Sequence, residues 1–170
     1  MLARGVGTKA DVLLVESDAG IVVLKDFAAR RPWVRRALGP WLLDREERAY
    51  RRLAGVEAVP RLLGRLDPAA LVVEYRPGTL LSRSLAGRLP AGFVASLSRA
   101  IDEMHRRGVV HLDLRHRSNV LAGEDGRPVV LDFASALVFD LSTRRGRWGM
   151  WLLRGFDRRA LRKWRIRLGE

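Results

Sequence analysis

Between Pro90 and Gly108, Phe93, Leu97, Ile101 and Met104 recur at intervals of three or four, a period that buries one face of a helix and fits no strand. Gly108 suits the left-handed residue that ends such a helix. On either side the period changes. Residues 11–16 (DVLLVE) and 21–27 (IVVLKDF) are short β-branched and leucine-rich runs separated by Ser17-Asp18-Ala19-Gly20, which predicts a hairpin. A basic, tryptophan-bearing connector fills 28–43. Asp44 is then the expected N-cap of a helix placing Glu47, Tyr50, Leu53 and Ala54 on one face and stopping at Gly55. Residues 62–66 and 70–75 predict a second strand pair, broken by Asp67-Pro68 and closed by Pro77-Gly78. Residues 119–122 and 129–132 predict a third hairpin around Gly123-Glu124-Asp125-Gly126. Strands flanking a core helix predict an α+β chain: a β-rich part with one helix over 1–76, a reduced helical part over 77–140 and a basic tail over 141–170.

At 170 residues and 48% apolar content the chain is long enough for a single core and too short for two independent domains. The absence of cysteine removes disulfide frameworks, zinc-thiolate sites and thiol nucleophiles, so a metal would sit on oxygen or histidine. No run approaches the roughly 20 apolar residues that span a bilayer, and the N-terminal stretch lacks a signal-peptide core, so a cytoplasmic address is expected. The net charge is +13, and residues 141–170 alone hold ten Arg or Lys against Asp157 and Glu170. Such a tail either meets something anionic or is simply a solvated basic surface. Arginine outnumbers lysine 29 to three, which makes Lys9, Lys25 and Lys163 informative.

The third hairpin has the sharpest chemistry. If 119–122 pairs with 129–132, Asn119 and Asp132 stand opposite each other at the open end of the ribbon. An amide oxygen and a carboxylate side by side suit a hard cation such as magnesium, which takes one or two protein oxygens and leaves its other positions to water and phosphate. Asp113, six residues before Asn119 in a loop that starts at His111, is expected to project into the same space.

His111-Leu112-Asp113 with Asn119, followed by Asp132-Phe133-Ala134, resembles the catalytic loop and metal-binding motif of the protein-kinase-like superfamily, written there H-x-D, N and D-F-G. Lys25 in an apolar strand and Glu46 in the next helix resemble the ion pair that grips the nucleotide phosphates, with Glu47 competing for the helix role. Gly5-Val6-Gly7-Thr8-Lys9-Ala10-Asp11-Val12 is similar to a phosphate-covering loop in the looser form of RIO-type kinases, and Glu74-Tyr75 stands where an adenine-binding hinge belongs. The resemblance covers residues 5–137 in the right order. It implies a minimal two-lobed kinase-like fold, ATP and Mg2+ as cofactors, Gly5, Gly7, Lys9, Lys25, Glu46, Glu74 and Tyr75 at the nucleotide, and Asn119 and Asp132 at the metal. It also implies Asp113 at the attacking hydroxyl, Arg115 at the transferred phosphate and His111 as organiser of the loop. The Asp113-to-Asn119 interval is one residue longer than in ordinary protein kinases, and Ala10 and Ala134 replace glycines, so a degenerate pseudokinase is the non-catalytic alternative.

Only 36 residues follow Ala134, too few for the usual peptide-docking platform, so a non-peptide acceptor is expected. In the tail, Leu161, Trp164 and Leu168 share a face and basic residues cover much of the rest, the pattern of a basic interfacial helix; the alternative is that Trp148, Trp151 and Trp164 pack on the core. The small size and basic connectors are similar to the lipopolysaccharide core kinases, which implies an anionic glycolipid or sugar acceptor and peripheral placement on the inner face of the cytoplasmic membrane. A RIO-like or tRNA-associated kinase whose tail meets RNA phosphates is the second choice.

Overall fold

In the computed structural model, residues 5, 7–17 and 20–169 are described; Asp18 and Ala19 of the first turn and Val6 of the glycine loop lie outside them. The chain is α+β, with antiparallel sheets concentrated in the N-terminal half and helices in the C-terminal half. Strands β1 (Asp11–Ser17) and β2 (Gly20–Asp26) pair antiparallel, with Val12 opposite Lys25. Strands β3 (Leu62–Asp67) and β4 (Ala70–Glu74) complete a four-stranded sheet in the order β1-β2-β4-β3.

The helix expected from Asp44 starts earlier. A π-helical turn over Val34–Leu38 runs directly into α1 (Gly39–Arg52). Gly39-Pro40 looks like a breaker, yet proline fits the first turn of a helix, where its missing N–H costs nothing. Gly39 is needed for another reason: a Cβ there would stand 2.8 Å from Cγ of Phe27. Asp44 is therefore not a cap but an exposed helical residue whose carboxylate takes a 2.7 Å bond from Arg65. The buried stripe is Leu43, Glu46, Ala49 and Tyr50, with Leu53 buried just beyond the helix; Tyr50 and Leu53 are on the expected face, while Glu46 replaces Glu47 on it and Ala54 is exposed. Glu46 is thus a carboxylate on an apolar stripe, the arrangement that most needs a partner.

The third hairpin is β7 (Val120–Gly123) with β8 (Pro128–Val130), and its register is one residue off expectation. Val120 pairs with Val130, and the Leu131 N–H bonds the Asn119 carbonyl at 2.9 Å, so Asn119 stands opposite Leu131 and not Asp132. The cause lies in the turn. Gly126 adopts φ +76° and its N–H returns to Gly123, while the Gly123 N–H reaches Arg127, which makes a three-residue loop closed by a left-handed glycine. Two further pairings carry no sequence signal. The segment after Pro77 is β5 (Gly78–Leu80), which joins β7 as a third strand, and β6 (Val109–Val110) pairs with β9 (Leu137–Val138).

The predicted core helix is α2 (Phe93–Arg106), burying Phe93, Leu97, Ile101 and Met104 as its period requires. The tail is α3 (Arg144–Leu168), capped by the Thr143 side chain and ended by Gly169 at φ +77°. It packs on α2 and on β6. Met150, Asp157, Ala160, Trp164 and Leu168 form its buried stripe, so one face of the tail is core. Its opposite side exposes Trp148 (65%), Trp151 (62%), Leu152 and Phe156. One contiguous apolar cluster runs from Phe27 and Leu71 through Leu97 to Trp164 and Leu168. Among the described residues, no helix is long and apolar enough to cross a membrane.

Candidate functional site

Lys25, at the end of β2, points from the sheet into a buried junction. Its ammonium bonds the Glu46 carboxylate from α1 and, at 2.8 Å, Oδ1 of Asp132, 107 residues away. Glu46 is the lysine's partner; Glu47 instead bonds Arg51 and Arg65. Burial alone would lower the Lys25 pKa, but the facing carboxylates of Glu46 and Asp132 outweigh it and hold the ammonium charged, well above its ordinary value. Burial pushes Glu46 up against the pull of Lys25. The Lys25 ammonium holds Asp132, half-exposed, below the usual carboxylate range.

Asp132 reaches this junction through its backbone. With φ +62° it leaves the β8 direction sharply, and the displaced register does not strand its side chain. Phe133 follows it into the core, edge-on to Tyr50 at 5.0 Å and against the His111 ring at 4.9 Å. This ring bolts α1 to the 111–119 loop.

Within that loop the second non-glycine residue in the left-handed region is Leu112, at φ +68°. A branched side chain there is strained by about 1–3 kcal/mol, and such strain persists only where the surroundings enforce it. Here the enforcing group is Asp157, wholly buried on α3. Its Oδ2 accepts the His111 N–H and its Oδ1 the Leu112 N–H, each at 2.9 Å, and Oδ2 also meets His105 Nε2 at 3.0 Å. Seven residues on, the buried Trp164 donates its indole N–H to the Leu114 carbonyl at 2.8 Å. His105 is accordingly not the helix-surface residue its position on α2 suggests, because α3 covers that face.

His111 holds the other side of the loop. Its Nε2 lies 2.9 Å from the Leu131 carbonyl, which can only accept, so Nε2 carries the proton and Nδ1 is free to take the Asp113 N–H at 3.3 Å. Burial pushes the imidazole pKa down, which keeps the ring in this neutral form. Asp113 and Asn119 are then joined: the Asn119 amide donates to the Asp113 carbonyl at 2.9 Å and to Asp113 Oδ2 at 3.0 Å. The Asn119 Oδ1 accepts from Ser118 at 2.8 Å.

The remaining expected residues are more dispersed. The Gly5 N–H bonds Asp11 Oδ1 at 2.7 Å, and Gly7 has φ +65°, so this segment folds back on the start of β1. Lys9 is exposed and makes no ion pair among the described residues. Glu74 ends β4 and Tyr75 begins the link to β5. Burial would raise the Glu74 pKa, but the Arg61 N–H at 3.0 Å and the Arg76 guanidinium at 3.0 Å outweigh it and hold the carboxylate low. Arg115 is exposed at the loop's outer edge.

As to a metal, one ammonium serves the two carboxylates Glu46 and Asp132, while Asp113 is bonded to the neutral Asn119 amide, so formal negative charge is left over that a divalent cation would neutralise. Asp132 Oδ2, Asn119 Oδ1 and Asp113 Oδ1 keep capacity to accept, and all three are hard donors of the right kind for magnesium. Among the described residues, no three His, Asp or Glu side chains gather as a complete ligand cage. A concavity of about 470 Å³ between Gly55–Ala58, α2 and β8 contains none of these groups, and of its arginines Arg107 is paired to Glu103, Arg127 to Glu57 and Arg76 to Glu74. The geometry of charge, not of volume, marks the site.

Asp157 is the residue that sequence reasoning missed; core packing was one of the two alternatives expected for Trp164, and its bond to the loop was not foreseen. The available signal was an aspartate on the apolar stripe of an otherwise cationic helix. No family model matches the chain, and no curated protein matches it.

Proposed function

We propose that the chain is a magnesium-dependent phosphotransferase that moves the terminal phosphoryl group of ATP to a hydroxyl of a non-peptide acceptor. The observation that carries this reading is the meeting of Lys25, Glu46 and Asp132 from three distant elements, with the Asp113–Asn119 pair tied to the same hairpin through His111 and the Leu131–Asn119 backbone bond. A permanently charged, buried lysine facing acidic oxygens is an arrangement for gripping phosphate, and phosphoryl transfer needs positioning and charge neutralisation more than covalent help.

Each residue then has a defined task. Lys25, held in place by Glu46, binds the donor's phosphates. Asn119 Oδ1 and Asp132 Oδ2 would hold magnesium, which neutralises charge on the transferring group when bound. Asp113 has one oxygen taken by Asn119 and the other available to orient the attacking hydroxyl and receive its proton as the new P–O bond forms and the bond to the leaving oxygen breaks. His111 is a positioning residue, neutral and fixed. Exposed Trp148, Trp151, Leu152 and Phe156, flanked by arginines on α3, favour an acceptor presented at an anionic, membrane-bound surface, such as a glycolipid sugar. On this reading the protein works in the cytoplasm, peripherally on the membrane's inner face.

Asp113→Ala should lower phosphate transfer by about 10²–10⁴-fold while leaving nucleotide binding nearly intact, the range expected for loss of a proton-accepting group. Asp132→Ala should in addition weaken magnesium-dependent nucleotide binding. Transfer by either variant at the wild-type rate would refute the assignment. The offset that puts Asn119 opposite Leu131 favours one second reading, a nucleotide-binding scaffold without turnover; magnesium-ATP bound by the wild type but never consumed would select it.

A further inference from the structure

Lys163 is one of three lysines in an arginine-rich chain, and the mechanism above gives it no task. It lies beside Trp164, whose indole is bonded to the Leu114 carbonyl, one residue before Arg115. This single anchor lays the last turns of α3 against the loop that carries Asp113. Arg167, one helical turn beyond Lys163, has its guanidinium over the Trp164 ring, 5.4 Å from the centroid. Among the described residues, the side chains of Arg115, Lys163 and Arg167 form no salt bridge and no hydrogen bond. Most other arginines near the described loops do find carboxylate or carbonyl partners, as Arg45, Arg65 and Arg107 do.

Partial burial, followed by the repulsion of Arg167 and Arg115, pushes the Lys163 pKa down, which places the three cations within one another's field. Like charges this close oppose each other, and among the described residues no carboxylate forms an ion pair with them. A neutral hydroxyl acceptor gains nothing from such a cluster. Two planar guanidinium forks and an ammonium match the several oxygens and double charge of a phosphate group.

We propose that Arg115, Lys163 and Arg167 form a subsite for a phosphomonoester group on the acceptor, so that the hydroxyl presented to Asp113 belongs to an already phosphorylated molecule. This rests on the phosphotransferase reading, with Lys25 serving the donor's phosphates and this cluster the acceptor's. The phosphomonoester is either on a small soluble molecule or on a lipid headgroup.

The three lysines make the test direct. Full-length protein labelled with carbon-13 at lysine Cε gives one NMR signal each for Lys9, Lys25 and Lys163. Glycerol 3-phosphate, and separately phosphatidylcholine vesicles containing phosphatidic acid, should shift the Lys163 signal saturably while sodium chloride at matched ionic strength does not. A response to both probes identifies a soluble source, and a response to the vesicles alone a lipid-borne one. Arg167→Gln and Arg115→Gln should each weaken the response about tenfold, the effect of losing one charge-assisted hydrogen bond. Parallel movement of Lys9 and Lys163, or a Lys163 signal that answers only to magnesium with a non-hydrolysable ATP analogue, overturns the subsite. The donor site is read independently at Lys25: silence there towards magnesium-nucleotide sinks the phosphotransferase reading while a saturable Lys163 response still stands.

Discussion

The two sides of the candidate site are held by different physics. On the sheet side, Lys25, Glu46 and Asp132 are fixed by one another's charge, and each loses its partner if another turns away. On the loop side, His111, Leu112 and Leu114 are fixed through backbone N–H and C=O groups bonded to Asp157 and Trp164, whatever the neighbouring charges do. The first arrangement can rearrange when a charged ligand arrives; the second cannot without breaking the core. On the proposed phosphotransferase reading, a site that admits phosphates and aims a hydroxyl would use both kinds of restraint. The strain at Leu112 sits on the rigid side, where three bonds to one carboxylate can enforce it.

The strongest way to break this contrast is Asp157→Ala. It leaves the His111 and Leu112 N–H groups and His105 without an acceptor in the core, and should cost about 3–5 kcal/mol in urea unfolding, the scale for deleting one member of a buried polar cluster. A loss below 1 kcal/mol would show that the loop does not depend on it. Lys25→Met comes next, at about 1–3 kcal/mol near neutral pH. It leaves Glu46 buried beside Asp132, with a folded pKa raised further above 4.5. Its contribution is then fully present below that value and lost as pH rises, so the variant should be most stable in mild acid.

The wild type should show the opposite slope from the loop side. Burial holds the folded His111 pKa below 6.5, so this stability is present above 6.5 and lost as pH falls and the unfolded chain takes up the proton. A urea midpoint that does not drop between pH 7 and 5, or that drops equally in His111→Gln, would remove the imidazole from this account. Trp164→Phe keeps an aromatic ring but leaves a void where the rest of the indole stood and the Leu114 carbonyl unpaired, for about 1–3 kcal/mol and a looser loop in hydrogen exchange at 112–115. Smallest of all, Trp151→Ser should stay within about 0.5 kcal/mol of wild type because the ring faces solvent, while reducing association with anionic vesicles.

What the sequence disclosed divides along the same line. The period of Phe93, Leu97, Ile101 and Met104 located α2, and the β-branched runs located β1, β2 and β4, because burial on one face imposes a period that composition records. The charged groups around Lys25 were legible as residue types in order. The register of the third hairpin was not, since one left-handed glycine at 126 decides between a three-residue and a longer loop, and the apolar runs tolerate either. Glu46 and Glu47 could not be separated until α1 began at Gly39, which fixes the rotation of every later residue. The bonds of Asp157 and Trp164 to the loop were hidden for a different reason: their partners are backbone atoms 45 to 50 residues away, and a backbone atom leaves no mark on the sequence.

That α3 fastens the 111–114 loop has a consequence for biosynthesis. Translation runs from the N-terminus, so Lys25, Glu46, Asp113, Asn119 and Asp132 are all joined to the chain before Asp157 and Trp164 are. A nascent chain paused near residue 150 would hold every side chain of the candidate site and still lack the two that fasten its loop, so the 111–114 segment takes its final shape only once the last helix is complete.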